Sequence, residues 1–139
     1  APARRESAAE DRIRQAEELI ESALYVEASK ELKAARRLLN PEDDAMVRVH
    51  TLNGKIFLHE GSVEEAKSEF VKAGGLAKRR DISGPDLAEA YAGLGAVLLK
   101  QGKGAQAERV FKKALEAGPS SMTKRLIEAE LERLKPPSK

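Results

Sequence analysis

Two histidines, one run of three basic residues and two glycine pairs are the features of this sequence that invite a chemical reading. His50 and His59 stand nine residues apart. On one helix that spacing places the imidazoles about 180° apart, so they cannot share a metal ion. His50 reads as a packing residue at the edge of a helix pair, whereas His59, beside a turn, faces solvent or a ligand. Gly93-Leu94-Gly95 begins like a dinucleotide-binding fingerprint, but it lacks the third Gly and lies in helical patterning rather than after a strand. Gly102-Lys103-Gly104 lacks the earlier Gly and the following Ser or Thr of a phosphate loop. Both pairs read as packing or turn glycines.

The basic run Lys78-Arg79-Arg80 reads as the last turn of a helix, where cations complement the macrodipole. An anionic-surface contact is the other reading, but Asp81 and Asp86 dilute the charge and no aromatic platform accompanies it. Acidic groups such as Glu17-Glu18-Glu21 and Glu64-Glu65 read as solvated helix faces. There is no Cys, which removes thiolate nucleophiles, zinc–thiolate sites and disulfides, and leaves cytoplasmic and exported origins equally open. The reading is of a non-enzyme with no catalytic, cofactor-binding or metal-ligating residue. The start at Ala1 without a Met, through the loosely patterned Ala1-Pro2-Ala3-Arg4-Arg5, fits an exported form, a trimmed one or a domain cut from something longer.

The elements that must position these residues are helices. The chain has 22 Ala and 16 Leu against 14 Val, Ile and Thr together, a balance that favours an all-α fold. Lys plus Arg (25) nearly cancel Asp plus Glu (23), so no long-range field draws in nucleic acid. No uncharged apolar stretch approaches the roughly 18 residues of a membrane span, and no membrane insertion is expected. Gly and Pro punctuation at 39–41, 60–62, 82–86, 101–104 and 118–121 separates segments in which apolar residues recur at three and four. The pattern predicts seven helices, near residues 6–22, 26–39, 43–60, 62–79, 86–101, 104–117 and 121–134.

The segments also repeat. Tyr91, Leu94-Gly95, Gly102, Ala107, Phe111, Ala114 and Pro119 fall at fixed offsets within one unit. A second copy carries Gly54, Phe57, Gly61, Ala66, Phe70 and Ala73 at the same offsets, with His50 and Asn53 where an aromatic and Leu stand in the third. A first copy carries Ala16, Leu19, Tyr25, Ala28, Leu32, Ala35 and Pro41. This pattern resembles the tetratricopeptide repeat (TPR), with Gly104 departing from it where an aromatic is usual. The resemblance implies one domain over 1–139, with repeats at about 9–41, 47–80 and 88–121 and a capping helix at 121–134. It implies a right-handed superhelical array of antiparallel helix hairpins, a TPR-like solenoid. Small residues at Gly54, Gly95, Ala66 and Ala107 would let paired helices approach, with Phe57, Phe70, Tyr91 and Phe111 filling the space between. In the last helix Ser121 is expected to cap, and Ile127, Leu131 and Leu134 to face inward beneath a solvating surface.

In that architecture the first helix of each hairpin lines a concave groove that binds a protein or peptide partner. The matching places are Glu10, Ile13, Glu17, Ile20 and Glu21 in the first copy. They are Arg48, Thr51, Lys55, Leu58 and His59 in the second, and Glu89, Ala92, Ala96, Leu99 and Lys100 in the third. This arrangement predicts an acidic end, a basic middle and a shallow stretch at Ala92 and Ala96 with room for a partner side chain. TPR chaperone adaptors hold a C-terminal carboxylate with Lys, Asn and Arg on this face. Here the corresponding places hold Ile13, Glu17, Leu52, Glu89 and Gly93, so that clamp is not expected. The alternative role is a structural subunit that self-associates as a homo-oligomer or docks into a cell-envelope or secretion assembly.

Overall fold

The computed structural model describes residues 2–137, which form α1 (Pro2–Glu21), α2 (Tyr25–Arg37), α3 (Met46–His59), α4 (Val63–Arg79), α5 (Pro85–Lys100), α6 (Gly104–Glu116) and α7 (Ser121–Leu134). No strand occurs among the described residues. Helices α1 and α2, α3 and α4, and α5 and α6 pair as successive antiparallel hairpins, and α7 packs on the last of them. The fold is a helical-hairpin solenoid. None of these helices is long and apolar enough to cross a membrane.

The three hairpin corners close in the same way. In each, one residue adopts a left-handed conformation and the next N–H reaches back five residues: Leu24 to the Leu19 carbonyl at 2.8 Å, Ser62 to Phe57 at 2.9 Å, and Lys103 to Leu98 at 2.9 Å. Gly61 (φ 81°) and Gly102 (φ 74°) take that conformation without a Cβ penalty, but the first corner places Ala23 there at φ 60°.

Two helix starts differ from the sequence reading. Helix α1 begins at Pro2 instead of near residue 6, because Pro is tolerated in a first helical turn and helix formers such as Ala3, Arg4, Arg5 and Glu6 follow it. Ala1 and the expected end of the domain at 138–139 lie outside the described residues. Helix α3 begins at Met46 instead of near 43. The Asp43 carboxylate accepts from the Asn40 N–H at 2.7 Å and its carbonyl accepts from the Met46 N–H at 2.9 Å, so residues 40–45 form a turn. That turn is tied to the end of α4 by Arg79 on Glu42 and Arg80 on Asp44. Lys78 lies over the Tyr91 ring at 5.7 Å. The basic run is thus engaged within the fold.

The hairpins close because a glycine faces a ring. A Cβ on Gly54 of α3 would fall 2.7 Å from the Phe70 ring of α4, and one on Gly95 of α5 would fall 2.5 Å from the Phe111 ring of α6. Phe70 and Phe111 are 1% and 2% exposed, while Phe57 and Tyr91 are only half-buried. Gly93 meets Phe70 from the next hairpin, more closely than either of those pairs. One ring therefore receives the backbones of α3 and α5 at once. His50 also lies in the α3–α4 interface, its Nδ1 at 2.7 Å from the Glu69 carboxylate, with both residues 7% exposed.

Candidate functional site

The inner wall of the solenoid is made by α1, α3 and α5, and α7 continues it. Helix α5 is set by Gly84 (φ 89°), whose N–H donates to the Ala117 carbonyl at 2.6 Å and ties the start of α5 to the end of α6. Helix α7 is set by Ser120, whose Oγ accepts from the Thr123 N–H at 3.3 Å. The cap is Ser120, one residue before the Ser121 expected from the sequence.

The wall has two unlike halves. Toward α1, the Arg48 guanidinium of α3 donates to three carboxylates from two other helices: Glu17 of α1 at 2.9 Å, and Asp86 and Glu89 of α5 at 2.8 Å and 3.2 Å. Glu89 is also bound by the Lys55 ammonium. Burial alone would push the Glu89 carboxyl up, but Lys55 and Arg48 outweigh it and hold it below its ordinary value of 4.5. Burial acts to lower the Arg48 pKa, and its three carboxylate partners reverse that and raise it. A hollow of about 510 Å³ beside this network is lined by Glu10, Ile13, Arg14, Asp44 and Ile82 together with Glu17, Arg48 and Asp86.

Toward α7, the wall is apolar. A cavity of about 550 Å³ lies between Lys55 and Leu58 of α3, the small residues Ala92, Gly93 and Ala96 of α5, and Met122 and Leu126 of α7. Leu99, Lys100 and Glu130 complete its rim, and Phe70, Phe111 and Ile127 form its floor. Met122 and Leu126 are 73% and 63% exposed, on the side of α7 that turns into the groove.

Of the expected groove residues, the structure brings Lys55, Leu58, Glu89, Ala92, Ala96, Leu99 and Lys100 to the apolar cavity, and Glu17 and Arg48 to the ionic half. Three depart from that picture. Thr51 is 2% exposed, with its hydroxyl donating to the Val47 carbonyl at 2.9 Å, so it presents no surface. Ile13 borders the hollow of the ionic half but is 4% exposed, with most of its side chain in the core shared by α1, α2 and α3. His59 stacks on Tyr25 at 3.9 Å between ring centroids, away from both hollows. The expected acidic end and basic middle do not stand apart either, because the two sets of charges meet in one network. Helix α7 is not merely a solvating cap: Ile127 is buried as expected, but Met122 and Leu126 extend the inner wall. These two residues were missed, although their i, i+4 spacing off the Ile127 face marks a second apolar stripe. Glu69, the partner of His50, was missed as well.

No protein-family model matches the sequence, and no curated protein matches it. Solved structures do match by shape. A TPR-like protein from Chlorobium tepidum superposes with a TM-score of 0.75 at 21% identity, covering 96% of each chain. The N-terminal domain of stress-induced protein-1 from C. elegans superposes with a TM-score of 0.65 at 14% identity, covering 91% of this chain and 96% of that one. At such identities the likeness is one of fold, and it establishes that this chain has the TPR-like arrangement of helical hairpins.

Proposed function

We propose that this chain is a non-catalytic protein–protein interaction module that binds a peptide or a partner helix along its concave wall. The observation that carries this reading is the open apolar cavity between α3, α5 and α7, with Met122 and Leu126 exposed at its edge. Soluble chains seldom leave large apolar side chains together at a groove unless something covers them. The lining supplies methyl, methylene and aromatic groups, and its carboxylates are bound to cations, so it favours burial of a partner surface over chemistry. The second and third hairpins and α7 act as one binding unit, since the cavity draws residues from all five helices from α3 to α7 and a rigid wall leaves the ordering cost to the partner.

The test is affinity capture with wild type, Leu126→Asp and Lys100→Glu. Both substitutions lie at exposed positions and spare the core. A partner held by wild type and released by Leu126→Asp is the expected result. A partner retained equally by all three would place binding elsewhere on the protein.

The exposure of Met122 and Leu126 also favours a second reading, a subunit that self-associates through this face. Sedimentation of wild type at high concentration decides it: a monomer removes the reading, and a dimer abolished by Leu126→Asp supports it.

A further inference from the structure

The trough is short of hydrogen-bonding groups. Glu89 is occupied by Lys55 and Arg48, Glu130 pairs with Arg133 at 3.2 Å, and the Thr123 hydroxyl lies 3.1 Å from Ser120 Oγ as its acceptor. Among the described residues of the lining, Lys100 is the one charged side chain with no ion-pair partner. An extended peptide laid here would bury N–H and C=O groups against Ala92, Gly93 and Ala96, with little beyond the Lys100 ammonium and the Thr123 O–H to satisfy them. An α-helix satisfies its backbone internally and needs only an apolar face. The small residues of α5 run along the trough above its buried floor, flanked by Leu58 on one side and Met122 and Leu126 on the other, which allows a helix to approach closely. From Glu89 to Lys100 this stretch of α5 runs about 16 Å, roughly three turns of helix.

We infer that the groove takes an amphipathic helix of a partner protein, with apolar residues at three- and four-residue spacing facing α5 and an acidic residue at the end that meets Lys100. This rests on the groove-binding reading above. Complementarity to Lys100 sets the register, and the apolar face supplies the affinity.

The test is selection of a random displayed peptide library, about 16 residues long to allow about four helical turns, against the full chain. Affinities of the enriched peptides are then measured on wild type, Leu126→Asp and Lys100→Glu. The expected peptides carry apolar residues at helical period with an acidic end, and gain helical circular dichroism on binding. They should weaken about tenfold or more on Leu126→Asp and about three- to fivefold on Lys100→Glu. Enriched peptides that alternate with period two or carry interior prolines, yet are lost on Leu126→Asp, overturn the helix and leave the groove standing. Peptides that bind Leu126→Asp as tightly as wild type overturn the groove and the helix together. A failure to enrich, or a wild-type dimer that Leu126→Asp dissolves, also overturns the inference, the latter by giving the face to a second copy.

Discussion

The two halves of the inner wall share α3 and α5, and they differ in what neighbouring hairpins place opposite one another. Toward α1 the opposed side chains are charged, and Arg48 draws Glu17, Asp86 and Glu89 into a network that satisfies itself. Toward α7 they are small or apolar, and the surface stays unfilled between Leu58 and Leu126. In a solenoid each hairpin adds a strip of wall, and pairing between strips decides whether that wall is closed by its own chain or left for another. The contrast gives one half a closed ionic network and leaves the other, which Phe70 underlies, as the surface proposed for binding.

The largest effect is expected at that ring. Phe70→Ala should cost about 3–5 kcal/mol in urea unfolding, since a fully buried ring is lost beneath α3 and α5 together. A loss below about 1 kcal/mol would show that the apolar half does not depend on it. Arg48→Met breaks the ionic half and leaves three carboxylates facing one another. These carboxylates are 37%, 40% and 22% exposed, so the expected loss is about 1–2 kcal/mol, less than for a fully buried pair. Peptide binding at the apolar half should survive this substitution, and its loss would mean that the halves are coupled.

Acid titration gives a gentler probe. Burial raises the Glu69 pKa, but its hydrogen bond to His50 and the nearby cations bring it below 4.5, as Lys55 and Arg48 do for Glu89. The folded state therefore binds fewer protons than the unfolded chain in that range, so these carboxyls contribute stability above about pH 4.5 that fades as pH falls. Glu89→Gln should flatten part of this slope, and an unchanged slope would remove Glu89 from the network's energetics. The smallest expected effect is a gain. Ala23→Gly relieves about 1–2 kcal/mol of left-handed strain at the first corner and gives back about 0.4–1 kcal/mol in unfolded-chain entropy. A net rise of about 0.5–1 kcal/mol should appear as a higher thermal midpoint, and a fall would show that the corner is not strained.

Helices and hairpins were legible because they are written locally. Gly61, Gly102 and Pro85 mark corners and starts, apolar residues recur at three and four, and Gly54 with Phe70 follows from a repeated offset. The ionic half was not legible, since Glu17, Asp86 and Glu89 lie 31 to 41 residues from Arg48 and no periodicity joins them. A helical wheel put most of the expected groove residues on the inner wall, where they line its two hollows, but Thr51 is enclosed by neighbouring helices. In α7 the wheel found the buried stripe at Ile127 and could not tell that the flank holding Met122 and Leu126 turns toward α5 instead of open solvent. Gly93 had been separated from nucleotide-binding glycines by its helical setting, but its contact with Phe70 belongs to tertiary packing between hairpins.

That contact bears on how the molecule opens. Units of a linear array can fray one at a time when each is linked to the next by a modest interface. With one ring gripped by Gly54 and Gly93, the second and third hairpins cannot separate without exposing it. Amide hydrogens of α3, α4 and α5 should then exchange through a common opening event, while those of α1 and α2 exchange earlier and independently. A single aromatic side chain would thereby divide the array into a cooperative block and a detachable end.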